Sequence, residues 1–127
     1  MLPAQHRLRH SADFAAAVRA AGGARSGSRL IVVHANQTDA RAGLPPRVGF
    51  VVSKGVGAAV VRNRTKRRLR ALMAQRLNSV PAGTDLVIRA NPLAAQADSQ
   101  QLATDLDTLL PKVLRRLDPA PAAGGSR

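Results

Sequence analysis

The chain has 127 residues, with 20 Lys and Arg against 7 acidic residues, a formal charge of +13 and no cysteine. That length suits one domain able to bury about two-thirds of its unfolded surface. The charge calls for a polyanion, nucleic acid first, and argues against an ordinary metabolic enzyme. Lack of Cys excludes disulfides and thiolate metal sites, and the absence of a signal-like or membrane-length apolar run makes the cytoplasm, with no membrane partner, the expected location.

In chain order, Met1–Arg9 is a basic lead-in. Ser11 can cap a helix running to about Ala21, with Asp13 in its first turn, Phe14 and Val18 on one face, and Gly22-Gly23 as its stop. A short strand at Ala24–Gly27 has weak support. Arg29–Ala35 is rich in β-branched residues and predicts a strand, followed by a polar loop holding Asn36, Asp39, Gly43, Pro45 and Pro46. Arg47–Ser53 predicts another, with Val48, Phe50 and Val52 on one face and Gly49, Val51 and Ser53 on the other. Gly55 and Gly57 lead into a helix over about 58–77. Thr84–Ala90 is a further strand, ended by Asn91-Pro92. Asp98 or Ser99 can cap a last helix to about Leu117, with Leu102, Leu106, Leu109, Leu110, Val113, Leu114 and Leu117 at helical spacing. Pro111 inside it should kink or split it. Residues 1–118 are expected to form the domain, and 119–127 a disordered Pro/Ala/Gly tail. The order α-β-β-α-β-α gives a single small α+β domain.

The basic helix is the most informative segment. Six Arg and Lys fall within residues 62–70, and no acidic residue occurs from Ala40 to Thr84. At about 100° per residue, Val61, Thr65, Leu69 and Leu72 lie on one side. Asn63, Lys66, Arg67 and Arg70 lie opposite, with Arg62 and Arg64 flanking them and Arg68 near the apolar seam. A solubilising face mixes signs, because like charges four apart repel; a single-sign stripe is stabilised by a polyanion. Only Lys54, Lys66 and Lys112 are Lys. The Arg bias suits paired contacts to phosphate oxygens, although a GC-rich genome produces the same bias.

Catalytic groups are sparse. The chain has no Glu, and its Asp residues are scattered at 13, 39, 85, 98, 105, 107 and 118. A protein nuclease needs clustered carboxylates for metal ions or a His-centred acid and base. His6 and His10 belong to a mobile lead-in, and His34 on a strand reads as structural or as a cleft residue rather than a base.

The run Ser53-Lys54, Ala59, Arg62-Asn63-Arg64, Lys66-Arg67 and Arg70 resembles the signature of the bacterial ribonuclease P protein subunit. Further segments extend the likeness: Leu8 to Val18 with Asp13-Phe14, Arg47 to Lys54, and Asp85 to Ala90 followed by Pro92. Gly55, Ala58, Thr65, Asn91 and Val18 depart from residues common in that family. The resemblance implies an αββαβα-like three-layer sandwich with a left-handed βαβ crossover, against the usual hand. It also implies endonucleolytic removal of the 5′ leader from precursor tRNA, with catalysis by a large RNA subunit. The protein itself would bind no cofactor; the RNA–protein holoenzyme would require Mg²⁺. On that resemblance Lys54, Arg62, Asn63, Arg64, Lys66, Arg67 and Arg70 contact the catalytic RNA. Phe14, Val18, His34 and Phe50 line a leader cleft, and Arg89 meets a leader phosphate. The partners would be that RNA and precursor tRNA, with one protein monomer per RNA subunit.

Other readings of the residues are a ribosomal or other structural RNA-binding protein, an RNA-recognition-motif protein and a protein-only nuclease. The second lacks paired stacking aromatics and the third lacks carboxylates.

Overall fold

A computed structural model describes residues 4–8, 23–37 and 41–117. Four strands, β1 (Ala24–Gly27), β2 (Ile31–Gln37), β3 (Arg47–Val52) and β4 (Thr84–Ala90), form one sheet in the order β1-β2-β4-β3. β1 and β2 are antiparallel, as are β2 and β4, whereas β3 runs parallel to β4. Helix α1 (Ala59–Ala74) connects those parallel strands, and α2 (Ser99–Leu117) follows β4. The result is a single small α+β unit with a mixed sheet.

Register decides what each face carries. Val33 pairs with Ile88 and Ile88 with Phe50, so alternate residues from Ile31, Val48 and Leu86 onward share one face. Both helices cover that face. Leu69 and Met73 of α1 and Leu102, Leu106, Leu109, Leu110, Val113 and Leu117 of α2 join Ile31, Val33, Ala35, Val48, Leu86 and Ile88 in one buried core. The opposite face carries Val32 and His34 of β2, Val51 of β3, and Asp85, Val87 and Arg89 of β4. Leu8 is buried there with Val87, and Val51 packs beside them.

Several boundaries differ from the sequence expectations for local chemical reasons. Strand β2 begins two residues later than predicted because Ser28–Ile31 forms the hairpin turn: the Ser28 hydroxyl oxygen accepts from the Leu30 and Ile31 amides, at 3.1 and 3.2 Å. The strand then continues through Asn36 and Gln37, which pair with Asp85 and Thr84 rather than entering the loop. Helix α1 stops at Ala74, short of residue 77, and Leu77–Ser79 forms a 3-10 turn. Pro111 neither splits α2 nor ends it. It is exposed, on the side of the helix where water can satisfy the carbonyl that lost its partner. Asp98 and Gln101 form a reciprocal cap at the start of α2: the Gln101 amide donates to Asp98 Oδ1 at 2.8 Å and the Asp98 amide to Gln101 Oε1 at 2.9 Å.

The lead-in is not free where it is described. The Leu8 amide donates to the Val48 carbonyl at 3.1 Å, and His6 Nδ1 bonds the Pro46 carbonyl at 2.8 Å. Residues 6–8 therefore lie along the outer edge of β3, contrary to the expectation for His6. The predicted N-terminal helix, with Phe14 and Val18, and the predicted tail, residues 119–127, lie outside the described residues.

Candidate nucleic-acid interface

Helix α1 presents the cationic stripe. Thr65, Leu69 and Met73 are its buried residues, which turns Asn63, Arg64 and Arg67 outward, where they are exposed, and leaves Arg62, Lys66 and Arg70 partly exposed. Val60, Asn63, Lys66, Arg67 and Arg70 line a shallow hollow of about 450 Å³. Thr65 keeps its hydroxyl inside the fold by donating to the Val61 carbonyl at 3.0 Å. Arg68 bends toward the seam as expected and donates to the Ala97 carbonyl at 2.7 Å.

The start of α1 adds to the field. Gly57, at φ +150°, makes the turn into the helix; a Cβ there would lie 3.2 Å from Val61. Ala58 at the cap position supplies no side-chain acceptor, and the first turn holds no acidic residue. The positive end of the helix dipole therefore lies beside Arg62 and Arg64 without a carboxylate to offset it. Lys54 is exposed on the 3-10 turn Lys54–Val56 that leads into this end. The Arg62 Nε is buried with no hydrogen-bond partner.

The described carboxylates are committed elsewhere. Asp85 is held by Arg47 in a two-point pair, at 2.9 and 2.7 Å, with Arg41 3.9 Å away. Asp105 accepts from the Ser28 hydroxyl at 2.5 Å. Asp107 pairs with Arg76 at 2.8 Å, and the hydrogen bond from Arg76 holds its carboxyl below the ordinary value of 3.8. Asp98 caps α2. Among the described residues, no carboxylate pairs with Arg62, Arg64, Lys66, Arg67 or Arg70.

A second cationic feature lies on the opposite face of the sheet. Arg25, Val32, His34, Arg89 and Asn91, with Gly23 and Ala24, line a hollow of about 470 Å³. Cross-strand pairing of Arg25 with His34 and of Val32 with Arg89 brings these side chains together. Burial pushes the His34 imidazole below its ordinary 6.5, and the charges of Arg25 and Arg89 push it the same way. Asn91 is used structurally. Its amide side chain donates to the carbonyls of Ser28 and Arg29, tying the end of β4 to the hairpin.

Of the sequence-predicted cleft residues, His34 and Arg89 share this hollow. Phe50 does not: its register with Ile88 puts it on the helix-covered face, where it packs against the core. Arg25 escaped sequence reasoning. Its signal is the hairpin register, which the misplaced start of β2 concealed.

A cationic helix over one face of a small mixed sheet and a cationic hollow on the other define a small α+β nucleic-acid-binding protein with dispersed carboxylates. The family model described as Ribonuclease P matches residues 2–114. The chain is 52% identical over 120 residues to the ribonuclease P protein component of Streptomyces bikiniensis, covering 90% of this chain and 96% of that one. It is likewise 52% identical over 122 residues to that of Beutenbergia cavernae, covering 96% and 99%. Its fold matches the RNase P protein of Staphylococcus aureus with a TM-score of 0.72 at 25% identity, over 89% of this chain and 98% of that one. The chain belongs to the ribonuclease P protein family. That family comprises the protein subunits of the RNA–protein enzyme of tRNA 5′ processing, whose catalytic activity lies with the RNA subunit.

Proposed function

We propose that the outer face of α1 binds the catalytic RNA through Lys54, Arg62, Asn63, Arg64, Lys66, Arg67 and Arg70. The opposite face of the sheet receives the 5′ leader of precursor tRNA at His34 and Arg89, and we assign Phe14 and Val18, which lie outside the described residues, to leader binding as well. Phe50 has no part in this reading, because it faces the core. The observation that carries the assignment is a cationic helix face with no carboxylate partner among the described residues, while the four described aspartates are engaged elsewhere.

On this reading the Mg²⁺ that the holoenzyme requires is held by RNA oxygens; among the described residues there is no group of three His, Cys, Asp or Glu placed to ligate a metal. One protein monomer acts per RNA subunit, in the cytoplasm; none of the described helices is long and apolar enough to cross a membrane. The protein contributes charge neutralisation and leader positioning, two effects that make the RNA effective at lower Mg²⁺. Reconstitution tests this: the protein added to the candidate RNA at low Mg²⁺ should release the 5′ leader from precursor tRNA. No gain over RNA alone would sink the assignment.

A further inference from the structure

The hollow on the face opposite α1 and α2 does not end at the sheet. Arg25 lines it, and the Arg25 carbonyl accepts a hydrogen bond from the Arg116 guanidinium, across the outer edge of β1. Arg115 and Arg116 belong to the last turn of α2 and Lys112 to the turn before it, and all three are exposed. These three lie three and four residues apart, so they share a side of the helix. Lys112 and Arg116 are separated by about 6 Å along the axis, of the order of one nucleotide step in an extended strand. None of the three has a carboxylate partner among the described residues, and Asp105 and Asp107 are held by Ser28 and Arg76.

We propose that this end of α2 extends the leader track. Single-stranded RNA leaving the His34–Arg89 hollow passes Arg25, turns over the edge of β1 and places phosphates farther from the cleavage site on Lys112, Arg115 and Arg116. The inference rests on the leader-binding reading above. Its distinctive consequence is a dependence on leader length. A helix C-terminus favours basic residues for its dipole alone, but that role predicts no such dependence.

The test uses holoenzyme reconstituted with the full-length protein and precursor tRNAs bearing leaders of about four and about twelve nucleotides, one at the short end and one well inside the range of single-strand site sizes. The combined Lys112→Gln, Arg115→Gln, Arg116→Gln variant should bind the long-leader substrate about tenfold more weakly and lower its log–log salt slope by about two. The short-leader substrate and the catalytic RNA should bind as before. Arg115→Gln alone, which leaves the Arg116–Arg25 contact in place, should act in the same direction with a smaller effect if the triple variant is unstable. Equal effects on both leaders, or none on the long one, would overturn the proposal. A His34→Asn, Arg89→Gln variant run alongside separates the two levels of inference. If it weakens leader binding while the α2 variants do nothing, only the extension fails. If it too has no effect, the leader reading fails and the extension goes with it.

Discussion

His34 is buried between two arginines, and its neutral form is favoured in the free protein by desolvation first and by the charges of Arg25 and Arg89 second. A phosphate placed between those arginines would reverse the balance, since an anion stabilises imidazolium. Leader binding should therefore take up a proton. Affinity for leader-bearing tRNA should rise as pH falls from about 7.5 toward 5.5, by at most about tenfold per unit, while mature tRNA shows a flatter profile. His34→Asn should remove the difference, as read by equilibrium binding across that range; a persisting difference would show that His34 is not the group. The sign for stability is opposite. Because the folded pKa lies below 6.5, the unfolded chain protonates first, so the free protein loses stability as pH falls through 6.5.

Helix α1 divides its two sides by a simple periodicity. Thr65 and Leu69 turn inward as their spacing predicts, and Met73 completes the buried row, while the Asn63–Arg70 stripe turns outward. The stripe has no carboxylate partner among the described residues, and an external polyanion would relieve its mutual repulsion. Arg62→Ala, Arg64→Ala and Arg67→Ala combined should weaken binding to the catalytic RNA and lower its log–log salt slope by up to about one unit per lost contact. An unchanged slope would remove the helix from the interface. Arg68 is a poor choice for that test, because its guanidinium is tied to Ala97 inside the protein and its loss would perturb packing between α1 and the turn before α2.

At the scale of the molecule, the sheet separates two cationic surfaces, with α1 on one side and the hollow on the other. Such a body can contact a catalytic RNA and its substrate together without supplying a reacting group. The purified protein with Mg²⁺ and no RNA should give no leader cleavage, measured on end-labelled precursor tRNA at micromolar protein. Robust cleavage that survives stringent removal of RNA would overturn the division of labour.

Much of this was legible in the residues. The strand at Thr84–Ala90, the apolar face of α2 and the two sides of α1 are set by local periodicity, which any single element displays by itself. Charge and the lack of Glu pointed to RNA and away from protein catalysis, because both are properties of composition. The turn at Ser28–Ile31 was missed because one hydroxyl oxygen, accepting two amides, outweighed the β propensity of its neighbours. The family resemblance drew Phe50 toward the cleft, yet pairing with Ile88 turns it to the core. Arg25, His34 and Arg89 become one site only when β1, β2 and β4 are in register. Which side chains share a face within a strand is a local matter of alternation. Which strands lie side by side, and so which distant residues meet, is decided only by tertiary packing.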